Sequence, residues 1–183
     1  MSFKQWLLER TNPDKIDIPP DQVSTDYQKE WYHTAWGPRA VKGILSSGRL
    51  LTREEGAQPT NAAAMGLGIY LSDDIEEAQS YAGGGVQSAI FKVRVVGQPK
   101  LLRLGNSPQD NELFEQIRSI GLNQPDDVNK LTTEHGYTGI HWSLMDNMEK
   151  LAIYDSKDLS PAVMAYEYAP TPGTIEGEWQ RRM

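Results

Sequence analysis

Gly66-Leu67-Gly68-Ile69-Tyr70-Leu71-Ser72-Asp73 is the stretch that decides how this 183-residue chain is read. Two glycines ahead of an aromatic residue let a backbone approach something flat and leave room for it. Residues 68–71 read as a short strand. Asp73 followed by Glu76 resembles a capping box that opens a helix running to Ser80 or Tyr81. Taken alone, the segment fits a hairpin edge and a helix with a core tyrosine equally well. What it lacks is as informative. Gly66-Leu67-Gly68 has no third glycine of a G-x-G-x-x-G fingerprint, and no G-K-[ST] phosphate loop occurs in the chain. A dinucleotide bound here would not sit on a Rossmann-type sheet.

Toward the N-terminus, Trp31-Tyr32-His33-Thr34-Ala35 is rich in aromatic and β-favouring residues and predicts a strand. Pro38 then suits a first helical turn, with Ala40, Val41, Ile44 and Leu45 at helical spacing up to a stop at Gly48. Residues 52–65 lose all periodicity and read as a loop. Toward the C-terminus, strands are expected near 89–96, 100–104, 138–142, 150–154 and 163–168. Helices are expected near 111–120 and 126–135, the second closed by Gly136. Strands and helices do not alternate strictly, which argues for an α+β fold. The length suits one domain. Residues 1–29 read as a lead-in, 30–169 as the domain, and 170–183, with Pro170, Pro172, Gly173 and Gly177, as an irregular tail.

Composition narrows the function classes. The chain has no cysteine, which excludes disulfides, thiolate metal sites and a Cys nucleophile. With 18 basic and 25 acidic residues the net charge is −7, opposite in sign to a nonspecific nucleic-acid binder. No stretch approaches the roughly 18 unbroken apolar residues of a membrane span. No secretory signal pattern opens the chain, so action in a cytoplasm, its own or a target cell's, is expected.

Three histidines occur, His33, His135 and His141, and no pair has metal-ligand spacing, so no metal is expected. His135 suits a last helical turn, and His141, beside Trp142, suits a packed strand position. His33 stands apart because small residues, Thr34 and Ala35, follow it and leave backbone polar groups accessible beside an imidazole. By itself it also fits a buried histidine bonded to backbone. A third segment, Ser143-Leu144-Met145-Asp146-Asn147-Met148-Glu149-Lys150, places carboxylates at the entrance of an apolar strand ending at Tyr154-Asp155.

In this order and spacing the three segments resemble the ADP-ribosyltransferases of the diphtheria-toxin and poly(ADP-ribose) polymerase branch. That family reads roughly L-W-H-G-S, A-x-I-L-x-x-G-L, G-x-G-I-Y-F-A-D, a tyrosine further along a helix, and N-E-Y-x-V-Y-D. The counterparts are Trp31 to Ala35, Val41 to Gly48, Gly66 to Asp73, and Tyr81. Gly136-Tyr137-Thr138-Gly139-Ile140, followed by Lys150-Leu151-Ala152-Ile153-Tyr154-Asp155, is similar to the ending of small phage and bacterial members. The resemblance covers residues 30–168. It implies two packed, mainly antiparallel sheets with flanking helices, and NAD⁺ as co-substrate.

The resemblance also assigns roles. His33 would bond the adenosine-side ribose, and Thr34 and Ala35 would offer backbone groups to the nicotinamide carboxamide. Tyr70 and Tyr81 would sandwich the nicotinamide, with Gly68 and Ser72 lining the same pocket. A carboxylate would grip the ribose 2′-hydroxyl and stabilise an oxocarbenium-like transition state. The family's glutamate stands five positions before the strand-final Asp, and here that position is Lys150. Glu149, one position off, ranks ahead of Asp146 in the preceding loop as the acid. A one-residue slip turns a strand side chain to the other face, so Glu149 needs a bulge to re-aim it.

The expected activity is mono-ADP-ribosylation of a macromolecular acceptor, protein favoured over nucleic acid, by a monomeric toxin, effector or phage-encoded modifier. Three alternatives stand beside it: an inactive NAD⁺- or partner-binding module, an NAD⁺ glycohydrolase, and an RNA 2′-phosphotransferase-like enzyme.

Overall fold

The computed structural model describes residues 27, 29–53, 55–56, 65–82, 86–103, 107–120, 124–143, 148–171 and 177–182. Its elements are β1 (Trp31–Trp36), α1 (Pro38–Ser47), β2 (Ile69–Ser72), α2 (Ile75–Ser80), β3 (Ser88–Val93), β4 (Leu101–Arg103), α3 (Pro108–Ile120), α4 (Pro125–Glu134), β5 (Gly139–Ser143), β6 (Glu149–Ile153), a 3-10 turn (Ser156–Asp158), β7 (Val163–Pro170) and β8 (Gly177–Arg181). The strands form one eight-stranded sheet in the order β4-β5-β6-β2-β1-β3-β7-β8. Its neighbours run antiparallel except β4 and β5, which are parallel.

The expectation of two separate sheets is therefore corrected to one mixed α/β architecture around a single sheet. The physical reason lies at its centre. The half β4-β5-β6-β2 meets the half β1-β3-β7-β8 through the pair Tyr32↔Ser72. By contrast β1 and β3 pair along their whole length, from Trp31↔Val93 to Trp36↔Ser88. One pair keeps the ladder continuous but lets β1 and β2 part beyond it. We refer to this junction as the seam.

Strand alternation sorts the apolar side chains into two cores, one on each face. Trp31 and Ala35 of β1, Ile69 and Leu71 of β2, Phe91 of β3, and Leu151 and Ile153 of β6 bury one face together with Val41 of α1. On the other face Leu102, Ile140, Trp142 and Ala152 pack under Leu113, Phe114 and Ile117 of α3 and Val128 of α4. We call these the α1 face and the α3 face. Neighbouring residues of one strand thus belong to different cores, and parity decides which environment a side chain meets.

The local signals act as physics requires. Gly48 ends α1 at φ 67° and donates its N–H to Ile44 O. Gly136 follows α4 at φ 77°, and His135 donates Nδ1–H to Leu131 O at 2.8 Å, capping one of the last carbonyls. Two expectations are corrected. The N-cap of α2 is Asp74, whose Oδ1 accepts from Glu77 N at 2.8 Å, so the capping pattern is Asp74-x-x-Glu77 and not Asp73-x-x-Glu76. The tail, expected to be irregular, carries β8. Trp179 lies opposite Tyr168 with ring centroids 5.3 Å apart. Gly177 is needed there because a Cβ would stand 2.5 Å from Ala169 O. The residue that reads as a breaker is what lets the strand dock. Among the described residues no helix is long and apolar enough to cross a membrane.

Candidate functional site

The seam places Thr34, Tyr70, Ser72, Glu77, Tyr81 and Lys150 close together. Tyr70 and Ser72 lie opposite Ala152 and Lys150, so all four side chains project on the α3 face. Thr34 Oγ1 donates to Ala78 O, which fastens α2 across the seam to β1. α2 then carries Glu77 and, at its C-cap, Tyr81 over this ground.

At the centre is a buried ion pair. Lys150 Nζ sits 2.6 Å from Glu77 Oε1, and both side chains are 6% exposed. Tyr81 closes the cluster. Its hydroxyl donates to Glu77 Oε1 at 3.1 Å and accepts from Lys150 Nζ at 3.0 Å. The Lys150 ammonium is 4.9 Å from the Tyr81 ring centroid, within cation–π range. Tyr81 itself is 44% exposed, so the cluster opens to solvent on its side.

Tyr70 is held from both ends. Its hydroxyl donates to Gly66 O at 2.9 Å and accepts from Met65 N at 2.8 Å. Its ring meets Trp142 edge-on at 6.1 Å. Burial pushes its phenol far above the usual tyrosine range, so it stays neutral. The room left by Gly68 has a definite occupant. A Cβ there would lie 2.8 Å from the Tyr154 ring and 2.9 Å from Ile153 O. The flat object that the glycine admits is this tyrosine.

His33 stands in the seam. Its Nδ1–H donates to Tyr70 O at 3.0 Å, tying β1 to β2 just past their shared pair. A carbonyl can only accept, so this bond fixes the tautomer and makes Nε2 an acceptor. Burial depresses its pKa against the opposing effect of that bond. His33 is thus a neutral ring with one acceptor nitrogen. Ala35, two residues on, is buried in the α1-face core, and Ser72 Oγ accepts from Asp74 N at 3.2 Å.

The strand acids lie elsewhere. Glu149 precedes Lys150 on β6 and shares parity with Leu151, so it points to the α1 face. There Lys29 bonds both Glu149 and Asp73, the latter at 2.7 Å, while Asp73 Oδ1 accepts from Glu149 N at 2.8 Å. His141 Nε2 approaches Glu149 Oε1 to 3.4 Å, an electrostatic contact more than an aligned hydrogen bond. With that nitrogen protonated, Nδ1 accepts from Tyr27 OH at 3.1 Å. Burial alone would raise the Glu149 carboxyl, but His141 and Lys29 outweigh it and hold the group below the ordinary carboxylate range. Burial lowers His141 in spite of Glu149. No bulge interrupts the register of β6 with β2 or β5, so nothing turns Glu149 toward Tyr70 and Tyr81. Asp146 falls within 144–147, outside the described residues.

The structure therefore brings Thr34, Tyr70, Ser72 and Tyr81 together on the α3 face, while His33, opposite Phe91 and in parity with Trp31 and Ala35, belongs to the α1 face and reaches this ground only through its bond to Tyr70 O. It leaves Ala35 in the core and Glu149 on the opposite face. Sequence reasoning missed Glu77 altogether. The signal was present, because Asp74-x-x-Glu77 overlaps Asp73-x-x-Glu76 and fits a capping box equally well. Among the described residues no cluster of His, Asp and Glu suitable for a metal ion occurs.

Half-buried His33 and buried His141 together predict a pH dependence. Both have folded-state pKa values below the ordinary 6.5, so the unfolded chain binds more protons just below that pH. Their contribution is complete above pH 6.5 and declines as pH falls from there toward the folded values. The slope is at most about 1.4 kcal/mol per pH unit for each ring. Urea unfolding between pH 7.5 and 5 should show falling stability, and His33→Gln with His141→Gln should flatten the curve. An unchanged slope in that double variant refutes the assignment.

A search of protein-family models finds none that matches this chain, and a search of curated proteins finds no match.

Proposed function

We propose that the protein binds NAD⁺ across the seam, cleaves its nicotinamide–ribose bond and transfers ADP-ribose to a macromolecular acceptor, a protein before a nucleic acid. The observation that carries this reading is the meeting of three distant segments at one seam, with Tyr70 and Tyr81 on its α3 face and His33 entering from the α1 face through its bond to Tyr70 O. His33 comes from the first strand, Tyr70 from the second, and Tyr81 from the helix that follows. A neutral His33 with an acceptor Nε2 suits a ribose hydroxyl. Tyr81 offers a partly exposed ring to a cationic nicotinamide, the kind of partner an aromatic face attracts. Tyr70 supports that ground from below, and Thr34 holds α2 in position.

A second reading, a module that binds NAD⁺ or a partner without turnover, is favoured by one observation. Lys150 occupies the strand position where the resembling family has its glutamate, and Glu149 is committed to Lys29 and His141 on the far face.

Calorimetry with NAD⁺ and an assay of nicotinamide release, with and without a cell lysate, separate the readings. Wild type should bind NAD⁺ and release nicotinamide, and a labelled ADP-ribose group should appear on lysate macromolecules. His33→Ala and Tyr81→Ala should each weaken binding about tenfold or more, in line with the loss of one buried hydrogen bond or one stacked ring. Binding without release supports the module, and release without labelling supports glycohydrolysis. Absence of NAD⁺ binding in wild type refutes the whole reading.

A further inference from the structure

We propose that Glu77, carried on α2 and held by Lys150, is the carboxylate of this site, so that the acid is delivered from the helix and its counter-ion from the strand. The proposal rests on the NAD⁺ reading above and deepens it. Among the described residues two candidates for the acid stand near the seam, and geometry separates them. Glu149 faces away from Tyr70 and Tyr81, and its oxygens are engaged by Lys29 and His141. Asp146 lies outside the described residues. Glu77 is on the same side as Tyr81, joined to it by a hydrogen bond of 3.1 Å, and 2.6 Å from the residue that replaces the family's strand acid.

The pair is costly unless it has a use. Two charges taken out of water lose hydration that their mutual attraction only partly returns, and apolar residues of similar size are often as stable. A carboxylate kept ionised beside a partly exposed aromatic ring is, however, what an oxocarbenium-like ribose requires. In the step envisaged, the C1′–N bond breaks and its electron pair leaves on the pyridinium nitrogen as neutral nicotinamide. The positive charge left on the ribose is countered by the Glu77 carboxylate, which accepts a hydrogen bond from the 2′-hydroxyl. A lone pair of the acceptor, or of water, then forms the new bond at C1′, and its proton passes to solvent. Glu77 is here the catalytic residue, and Lys150 is a positioning residue that fixes the carboxylate's place beside the Tyr81 ring.

The test compares Glu77→Gln, Glu149→Gln, Lys150→Arg and the exchange Glu77→Lys/Lys150→Glu. Nicotinamide release and NAD⁺ affinity are measured for each, and thermal melting verifies folding. Glu77→Gln should lower kcat by about 100-fold or more while NAD⁺ affinity changes by less than about threefold, because the contact strengthens in the transition state. Lys150→Arg should keep most of the turnover, as a conservative cation in the same place. The exchange variant keeps one charge of each sign and returns a carboxylate to the strand, so it should exceed Glu77→Gln in turnover. The proposal is overturned if Glu77→Gln melts normally and turns over as wild type does, or if the loss is confined to Glu149→Gln. A wild type that binds NAD⁺ but releases no nicotinamide overturns it too, while leaving NAD⁺ binding intact. No NAD⁺ binding at all removes the underlying reading first.

Discussion

Lys150→Met is expected to lower the unfolding free energy by about 3–5 kcal/mol, the range for a buried ion pair that loses one partner. Lys150 and Glu77 are equally buried and 2.6 Å apart. Methionine matches the length of the stem but leaves the Glu77 carboxylate without the ammonium in a place that water reaches poorly. Tyr81 would keep one hydrogen bond to that carboxylate, which offsets only part of the loss. A second substitution distinguishes charge from packing. Adding Glu77→Leu to Lys150→Met removes the stranded charge and should recover most of the stability, since a well-packed apolar pair is often no worse than the ion pair. Urea denaturation of the two single variants and the double variant gives the coupling directly. A cost for Lys150→Met below about 1 kcal/mol would place this pair with solvated surface bridges and contradict its burial.

Phe91→Ala should cost about 3–5 kcal/mol as well, by a different mechanism. Phe91 is fully buried in the α1-face core. It lies opposite His33 on β1 and opposite Met164 on β7, where the β3–β7 register shifts between Ile90 and Phe91. Strands on both sides hold the backbone, so the cavity cannot collapse and the full cost should appear. Val163→Ala on the neighbouring strand is the control. Val163 is 53% exposed, and its truncation should stay within about 0.5 kcal/mol. The Phe91 variant also bears on the site, because His33 loses its cross-strand neighbour. Thermal melting should show a large drop for Phe91→Ala and almost none for Val163→Ala. Similar small shifts in both would mean that the core relaxes around residue 91.

Caps, turns and strand parity are local, and they are the parts of this molecule legible in its sequence. Gly48 and Gly136 end helices because each supplies a positive φ that other residues adopt at a cost. Aromatic and β-favouring residues mark β1 and an apolar run marks β6, and the mixture of strands with helices that do not alternate strictly points to an α+β fold. The resemblance implied one pocket for His33, Tyr70 and Tyr81, but not that His33 would stand on the face of Phe91 and meet Tyr70 through its carbonyl. The count of sheets was not legible either, because one register pair, Tyr32↔Ser72, decides whether two halves are joined. Nor was β8, whose docking depends on the ring of Tyr168 some ten residues earlier.

The site shows the same division most clearly. The resemblance implied that Lys150 stands where that family has its acid and that Glu149 sits one position away. Strand alternation adds that such a slip turns the side chain over, since successive strand residues face opposite sides. What Glu149 meets on its far face, Lys29 and His141, is a tertiary matter. So is the partner of Lys150, which lies 73 residues earlier on a helix whose cap starts one residue later than the nearer pattern suggests. Periodicity tells which way a side chain points. Only the folded chain decides which charge is waiting there, because that depends on how distant elements pack and not on their spacing along the sequence.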